Sequence, residues 1–199
     1  MEPTPILPFV FTEPITTERL TLRLMTDADV DDVFAYQSLE DVCRYLLFAP
    51  RSHEEVAERV ARFAAATTLA ADGDYLQLAL ELPGEDGARA RVIGDSYFTL
   101  ADVKNAHGEI GWTMHPDFMG KGYASEAARA VLDIAFATMN LHRVSANLDP
   151  RNDASAALCR RLGMREEAHH LSDLWSKGEW TDSGIYAVLA AEWRASRVR

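Results

Sequence analysis

Met119-Gly120-Lys121-Gly122-Tyr123-Ala124 lies between a strand pattern and a long helix pattern, and the chain's architecture can be read outward from it. Upstream, Glu109-Ile110-Gly111-Trp112-Thr113-Met114 reads as a strand, ended by His115-Pro116-Asp117. Downstream, Ala124 to Met139 holds no Gly or Pro and repeats apolar side chains at helical spacing through Ala127, Val131, Ile134 and Ala135. A glycine-rich turn opening a helix leaves backbone N–H groups without partners at the positive end of the helix dipole, where a phosphate or pyrophosphate fits. Gly120 and Gly122 have no Cβ, so the backbone can approach such a ligand closely. A plain tight turn is the competing reading of the glycine pair taken alone.

Two other phosphate loops do not fit. The P-loop requires Gly-Lys-Ser/Thr, and here Gly122 follows Lys121. The dinucleotide fingerprint requires a third glycine where Ser125 stands.

Before this turn, Arg19-Leu20-Thr21-Leu22-Arg23-Leu24 alternates as a half-buried strand. Residues 1–16 are punctuated by proline and read as irregular. Thr26 is a plausible N-cap for a helix from Asp27 to about Ser38. Ser52-His53-Glu54-Glu55 forms a capping box for a helix to about Leu69, with Val56, Val60 and Phe63 on one face. Tyr75–Leu82 and Ala90–Leu100 are strands around the turn Pro83-Gly84-Glu85-Asp86-Gly87, so with 109–115 they form an antiparallel meander. After the long helix, Arg143–Leu148 is a strand reached through a helical crossover, which predicts parallel pairing with 109–115. Ala154–Leu162 is a helix capped by Asn152 or Asp153 and ended by Gly163. Strands near Met164–Ala168 and Gly184–Leu189 finish the chain. The expectation is a single α/β domain over residues 1–199, with a mixed, mostly antiparallel sheet, one parallel pair splayed at its C-terminal ends, and about four flanking helices.

The chain has 199 residues, 48% of them apolar and 26% charged, an ordinary globular balance. A net charge of −11 argues against a nucleic-acid surface and favours cationic partners by steering, unless it serves solubility alone. Cys43 and Cys159 sit in apolar helical contexts and read as reduced thiols of a cytoplasmic protein. No Cys/His pair has zinc spacing, so no metal is expected. No signal-peptide pattern opens the chain, and no apolar run reaches membrane-spanning length.

From Glu109 to Gly163 the sequence resembles the acyl-CoA core of the GNAT N-acyltransferases, and more narrowly the branch of the ribosomal-protein N-terminal alanine acetyltransferases. Gly120-Lys121-Gly122-Tyr123-Ala124 matches the family's pyrophosphate loop, although Met119 stands where Gln or Arg is usual. His142-Arg143-Val144, Asn147, Asn152-Asp153-Ala154-Ser155 and Arg161-Leu162-Gly163-Met164 extend the likeness. Thr17–Arg23 is similar to the branch's first strand. Gly178–Asp182 with Tyr186 and Glu192-Trp193 is similar to its closing strand.

The resemblance implies an acetyl-CoA-dependent N-acetyltransferase, with Met119, Gly120, Lys121, Gly122, Tyr123 and Ala124 at the pyrophosphate. Backbone groups of Trp112, Thr113 and Met114 would pair with the pantetheine amides, Asn152 would bond the same arm, and Arg160 would reach the 3′-phosphate. Ser155 would donate a proton to the departing thiolate; a local helix-start bond is its alternative. Glu109 is the candidate base, direct or through water, with Asp173 as a second candidate. Trp175, Trp180 and Tyr186 are candidates for the acceptor pocket. The acceptor is an amine on a small molecule or a protein N-terminus, fitting an acidic cleft, and relatives often form homodimers. Transfer of another acyl group such as succinyl, or a non-catalytic acyl-CoA-binding module, are the rival readings.

Overall fold

A computed structural model of the chain describes residues 4–84 and 87–197. Met1–Pro3 of the N-terminal segment, and Glu85 and Asp86 of the expected turn, lie outside the described residues. An eight-stranded sheet forms the centre, in the order β2-β3-β5-β6-β7-β8-β10-β9. Its strands are β2 (Ile15–Thr16), β3 (Thr21–Leu24), β5 (Tyr75–Leu82), β6 (Arg91–Asp102), β7 (His107–Met114), β8 (Arg143–Leu148), β9 (Arg165–Ser176) and β10 (Glu179–Leu189). All neighbours are antiparallel except β7 and β8, which run parallel as expected.

Side-chain alternation along β5 shows why the sheet is covered on both faces. Leu76, Leu78 and Leu80 enter the larger core, beneath α4 (Tyr123–Asp133), α5 (Asp153–Arg161) and α6 (Ala190–Ser196). Ala79 enters a smaller core with Val33 and Tyr36 of α1 (Val30–Gln37) and Val56, Val60 and Phe63 of α3 (His53–Ala65). The Ser52–Glu55 capping box starts α3 as expected: Glu55 N donates to Ser52 Oγ at 3.2 Å, and Ser52 N donates to the Glu55 carboxylate at 2.7 Å. Among the described residues no helix is long and apolar enough to cross a membrane.

Several boundaries differ from those the sequence suggests. The expected irregular N-terminal segment contains β2, which pairs with β3, as well as β1 (Phe9–Val10), which pairs with β4 (Thr68–Leu69). That pairing also explains why α3 stops at Ala65 rather than Leu69: Thr67 and Thr68 are β-branched, and a strand partner is available to them. The helix expected from Asp27 begins as a single 3₁₀ turn, Asp27–Asp29. The long helix ends in a π turn, Ile134–Thr138, where Met139 N donates to Ile134 O at 2.9 Å. The widened turn leaves Met139 and Leu141 buried.

There are six α-helices among the described residues rather than about four. The additional ones are α2 (Glu40–Cys43) and α6. Glu192 and Trp193 therefore belong to a helix and not to the closing strand; Trp193 Nε1 is fixed to Asp133 Oδ1 at 2.8 Å. β9 and β10 are also longer than expected. β9 is solvent-exposed along most of its length, so no inward alternation marks it in the sequence. At the tip of their hairpin, Lys177 Nζ donates to the carbonyls of Cys43 and Arg44 at 2.6 and 2.7 Å, holding the end of α2 over the sheet.

Candidate active site

The glycine turn is held from both sides. A short 3₁₀ turn, Pro116–Phe118, follows β7, and Gly120 and Gly122 then take φ +74° and +86°, a region that L side chains rarely adopt. Gly122 is the N-cap of α4, so the helix's first free N–H groups face the turn. A Cβ at Gly120 would meet nothing within 4 Å, which leaves open space over the loop.

The loop is latched by the turn between β2 and β3. Arg19 donates to Lys121 O at 2.9 Å and to the Glu126 carboxylate at 2.7 Å, and its guanidinium lies 4.5 Å from the centre of the Tyr123 ring. Thr17 Oγ1 donates to Glu126 at 2.6 Å. Burial raises the Glu126 carboxyl, but the Thr17 hydroxyl and the Arg19 amide and guanidinium outweigh it and hold it below its usual range. The sequence gives no hint that Arg19 and Glu126 brace the loop. Their 107-residue separation leaves no local signal.

β7 and β8 pair at only three positions, His107 with Arg143, Gly108 with Val144 and Glu109 with Ser145. Beyond Glu109 they separate, and β7 from Ile110 to Met114 has β6 alone as a partner. The gap opens into two hollows. One, about 480 Å³, is lined by Trp112, Thr113, Met114, the turn from Met119 to Ser125 except Lys121, Asn152, Ser155 and Arg161. The other, about 520 Å³, lies on the α1–α3 side and is lined by Glu109, Tyr75, Tyr97, Asp95 and three arginines among others. Leu46, Trp112, Thr113, Asn152 and Ser155 line both hollows.

Ser155 sits at this junction. Its backbone N–H donates to Asn152 Oδ1 at 3.0 Å, which is the N-cap bond of α5. Its hydroxyl oxygen accepts from Trp112 Nε1 at 3.2 Å across the gap, so its own O–H remains available to donate. Glu109 lies where the strands part and lines both the larger hollow and a third one of about 310 Å³. Burial without a polar partner pushes its carboxyl above the usual range.

The structure brings together Glu109, Trp112, Thr113, Met114, Met119, Gly120, Gly122, Tyr123, Ala124, Asn152 and Ser155 around the connected hollows. Lys121 is exposed and holds its ammonium 5.3 Å from the centre of the Phe118 ring. Arg160 turns to Tyr186 Oη at 3.4 Å, and its neighbour Arg161 is the one that lines the cleft. Asp173 is exposed and borders only the third hollow. Trp175 and Trp180 stack on each other at the exposed end of the β9–β10 hairpin, and Tyr186 is buried against Glu166, so none of the three lines these hollows.

The larger hollow is mixed in charge rather than acidic throughout: Arg51, Arg59 and Arg62 line it beside Asp95, Glu109 and Asp149. Arg59 and Arg62 flank the apolar face of α3, a pattern visible in the sequence as Arg59 and Arg62 beside Phe63. Asp95 is also legible as a lone charge inside the apolar run of β6. Tyr36 and Gln77 each donate to it at 2.6 Å, yet burial still holds its carboxyl above the usual range.

Comparison with known proteins agrees with this geometry. Residues 19–165 match the family model described as Acetyltransferase (GNAT) domain. The chain is 33% identical to the uncharacterized N-acetyltransferase YnaD of Bacillus subtilis (strain 168), covering 90% of this chain and 98% of that one. It is 26% identical to the [Ribosomal protein uS5]-alanine N-acetyltransferase of Escherichia coli (strain K12), covering 92% and 94%. A crystal structure of a GNAT-family acetyltransferase from Bacillus anthracis superimposes with a TM-score of 0.78 at 30% identity, covering 90% and 99%.

Proposed function

The chain belongs to the GNAT acetyltransferase family, and from that premise we propose that it moves the acetyl group of acetyl-CoA directly to a primary amine. One observation carries the proposal: the hollow beside the glycine turn and the hollow beside Glu109 share Trp112, Thr113, Asn152 and Ser155. A thioester lying along β7 would end where an amine entering from the other side arrives.

The residues fit that cosubstrate. Left-handed glycines and the free N–H groups of α4 suit a pyrophosphate, and the unpaired edge of β7 from Ile110 to Met114 suits the amides of a pantetheine arm. Glu109, made more basic by burial, takes the proton from the attacking amine. The new C–N bond forms as the C–S bond breaks, and the Ser155 hydroxyl gives its proton to the departing sulfur. The proton taken up by Glu109 is returned through solvent to the serine oxygen, so that amide and free thiol are the products. Trp112 donates to the Ser155 oxygen, so the hydroxyl keeps its own hydrogen to give to the sulfur. Cys159 takes no part as a nucleophile: it is fully buried, and burial pushes its thiol up to about 12.

The function is tested by thiol release from acetyl-CoA across amine classes, with Glu109→Gln and Ser155→Ala alongside. Turnover that collapses in both variants while CoA still binds is the expected result. CoA binding without thiol release for any amine would overturn it in favour of a non-catalytic acyl-CoA module.

A further inference from the structure

The larger hollow carries a charge arrangement that amine transfer alone does not use. Arg19, Arg23, Arg89, Arg143 and Arg165 each meet a carboxylate elsewhere in the fold. Among the described residues Arg51, Arg59 and Arg62 are in no ion pair, although all three line this hollow. Arg59 Nε is buried and has no hydrogen-bond partner among the described residues. Arg59 stacks on Phe63 at 5.1 Å, whereas Arg51 stacks on Phe48 at 3.3 Å and donates to Gln37 Oε1. Burial, followed by the neighbouring guanidinium, pulls Arg51 down to about 10 and draws Arg59 below its usual value.

Arg51 and Arg59 are half-buried and Arg62 is exposed at the rim. A buried donor left without an acceptor, as Arg59 Nε is, and guanidiniums that repel one another cost stability, and an oxyanion accepting from them lowers that cost. The carboxylates that face them do not supply it. Asp95 is occupied by Tyr36 and Gln77, Asp149 of the same hollow is held by Arg151, and Glu55 accepts from Ser52 N at the start of α3. Glu109, on β7, is the proposed base. None of the three arginines lines the hollow beside the glycine turn, so the phosphates of the acyl carrier have a separate place.

We propose that Arg51, Arg59 and Arg62 form an oxyanion subsite in the acceptor hollow, so that the amine acetylated by this protein also carries a carboxylate or phosphate group. This rests on the acyltransferase reading above and names its substrate class.

The test compares amines matched except for the anion, with acetyl-CoA as donor: phosphoethanolamine against ethanolamine, phenylalanine against phenylalaninamide, and spermidine as a polycation. The anionic member of at least one pair is expected to lead in kcat/KM by about tenfold or more. The leading pair tells phosphate from carboxylate. Arg59→Gln and, separately, Arg62→Gln should reduce that preference severalfold, and unchanged CoA affinity certifies that each variant is folded. Preference for spermidine or for the neutral members, or a preference that survives both substitutions, would overturn the inference. If no amine is turned over, the transferase proposal fails, and calorimetry of the same amines on the CoA-saturated protein then decides the subsite. Tighter binding of an anionic member, lost in Arg59→Gln, upholds it; equal binding within both pairs overturns it.

Discussion

The indole Nε1 of Trp112 donates to Ser155 Oγ across 3.2 Å, joining the free edge of β7 to the first turn of α5 over the gap between the splayed strands. This bond fixes the hydroxyl oxygen and leaves its hydrogen free, which is the state needed to protonate a departing thiolate. Ser155→Ala should therefore lower kcat by about 100-fold. Trp112→Phe keeps an aromatic ring and loses the donor, at about 1 kcal/mol, so kcat should fall about fivefold. Steady-state kinetics with both variants checks the order; a larger loss in Trp112→Phe than in Ser155→Ala would refute this role for the hydroxyl.

Among the described residues Glu109 has no polar partner, and burial raises its carboxyl above the usual range. The folded state therefore holds this proton more tightly than the unfolded chain does. Ionising the group costs stability at pH above the folded pKa, and the cost disappears below the ordinary carboxylate value. Glu109→Gln should raise Tm at about pH 8, leave it nearly unchanged at about pH 4, and lower kcat by about 100-fold or more. In the wild type, the acid limb of kcat/KM should lie above the ordinary glutamate range, because the base acts only when ionised.

Gly122 holds φ +86° at the start of α4, and an added Cβ would come within 3.3 Å of the Arg19 guanidinium. Gly122→Ala forces a side chain into the left-handed region at about 1–2 kcal/mol. It should lower Tm and weaken CoA binding together, measured by thermal melts and calorimetry. CoA affinity equal to wild type would argue against the turn as the phosphate site.

Arg19 ties the turn to the strand β3 that follows it, through Lys121 O and Glu126. Arg19→Met should raise the Kd for CoA several-fold while leaving kcat at saturating CoA close to wild type. A fall in kcat with Kd unchanged would contradict a role confined to the loop.

Asp29 is buried, and it accepts from both terminal nitrogens of Arg23 at 2.7 and 2.8 Å and from Thr26 N at 2.7 Å. Burial raises its carboxyl, but Arg23 and Thr26 outweigh this and hold it below the usual range. The stability it contributes is present above the unfolded carboxylate value and lost as pH falls through the lower folded value. Asp29→Asn should cost about 3 kcal/mol at neutral pH, with the gap to wild type closing in acid, as read from urea melts at both pH values.

Local pattern by itself makes much of this fold legible. Alternation and turn residues delimit Tyr75–Leu82 and Arg143–Leu148, and both strands have those ends. The glycine pair ahead of a helix without Gly or Pro locates the turn. The crossover through that helix implies the parallel β7–β8 pair, because a strand regained through a helix returns in the same direction. What periodicity misses is non-local or too short to repeat: the two-residue pair β1–β4, the four-residue α2, and the exposed extension of the edge strand β9 beyond Ala168.

Residue chemistry along the chain thus set the order of the main elements and the anion-ready turn, since each depends on spacing within a few residues, while the role of the Ser155 hydroxyl came from the family resemblance. The fold alone revealed that Arg19 and Glu126 brace the turn, that Trp112 reaches Ser155, and that Arg51, Arg59 and Arg62 share a hollow with Glu109. Those contacts join residues far apart in the chain, and only packing against both faces of the sheet brings their charges and donors within reach of one another.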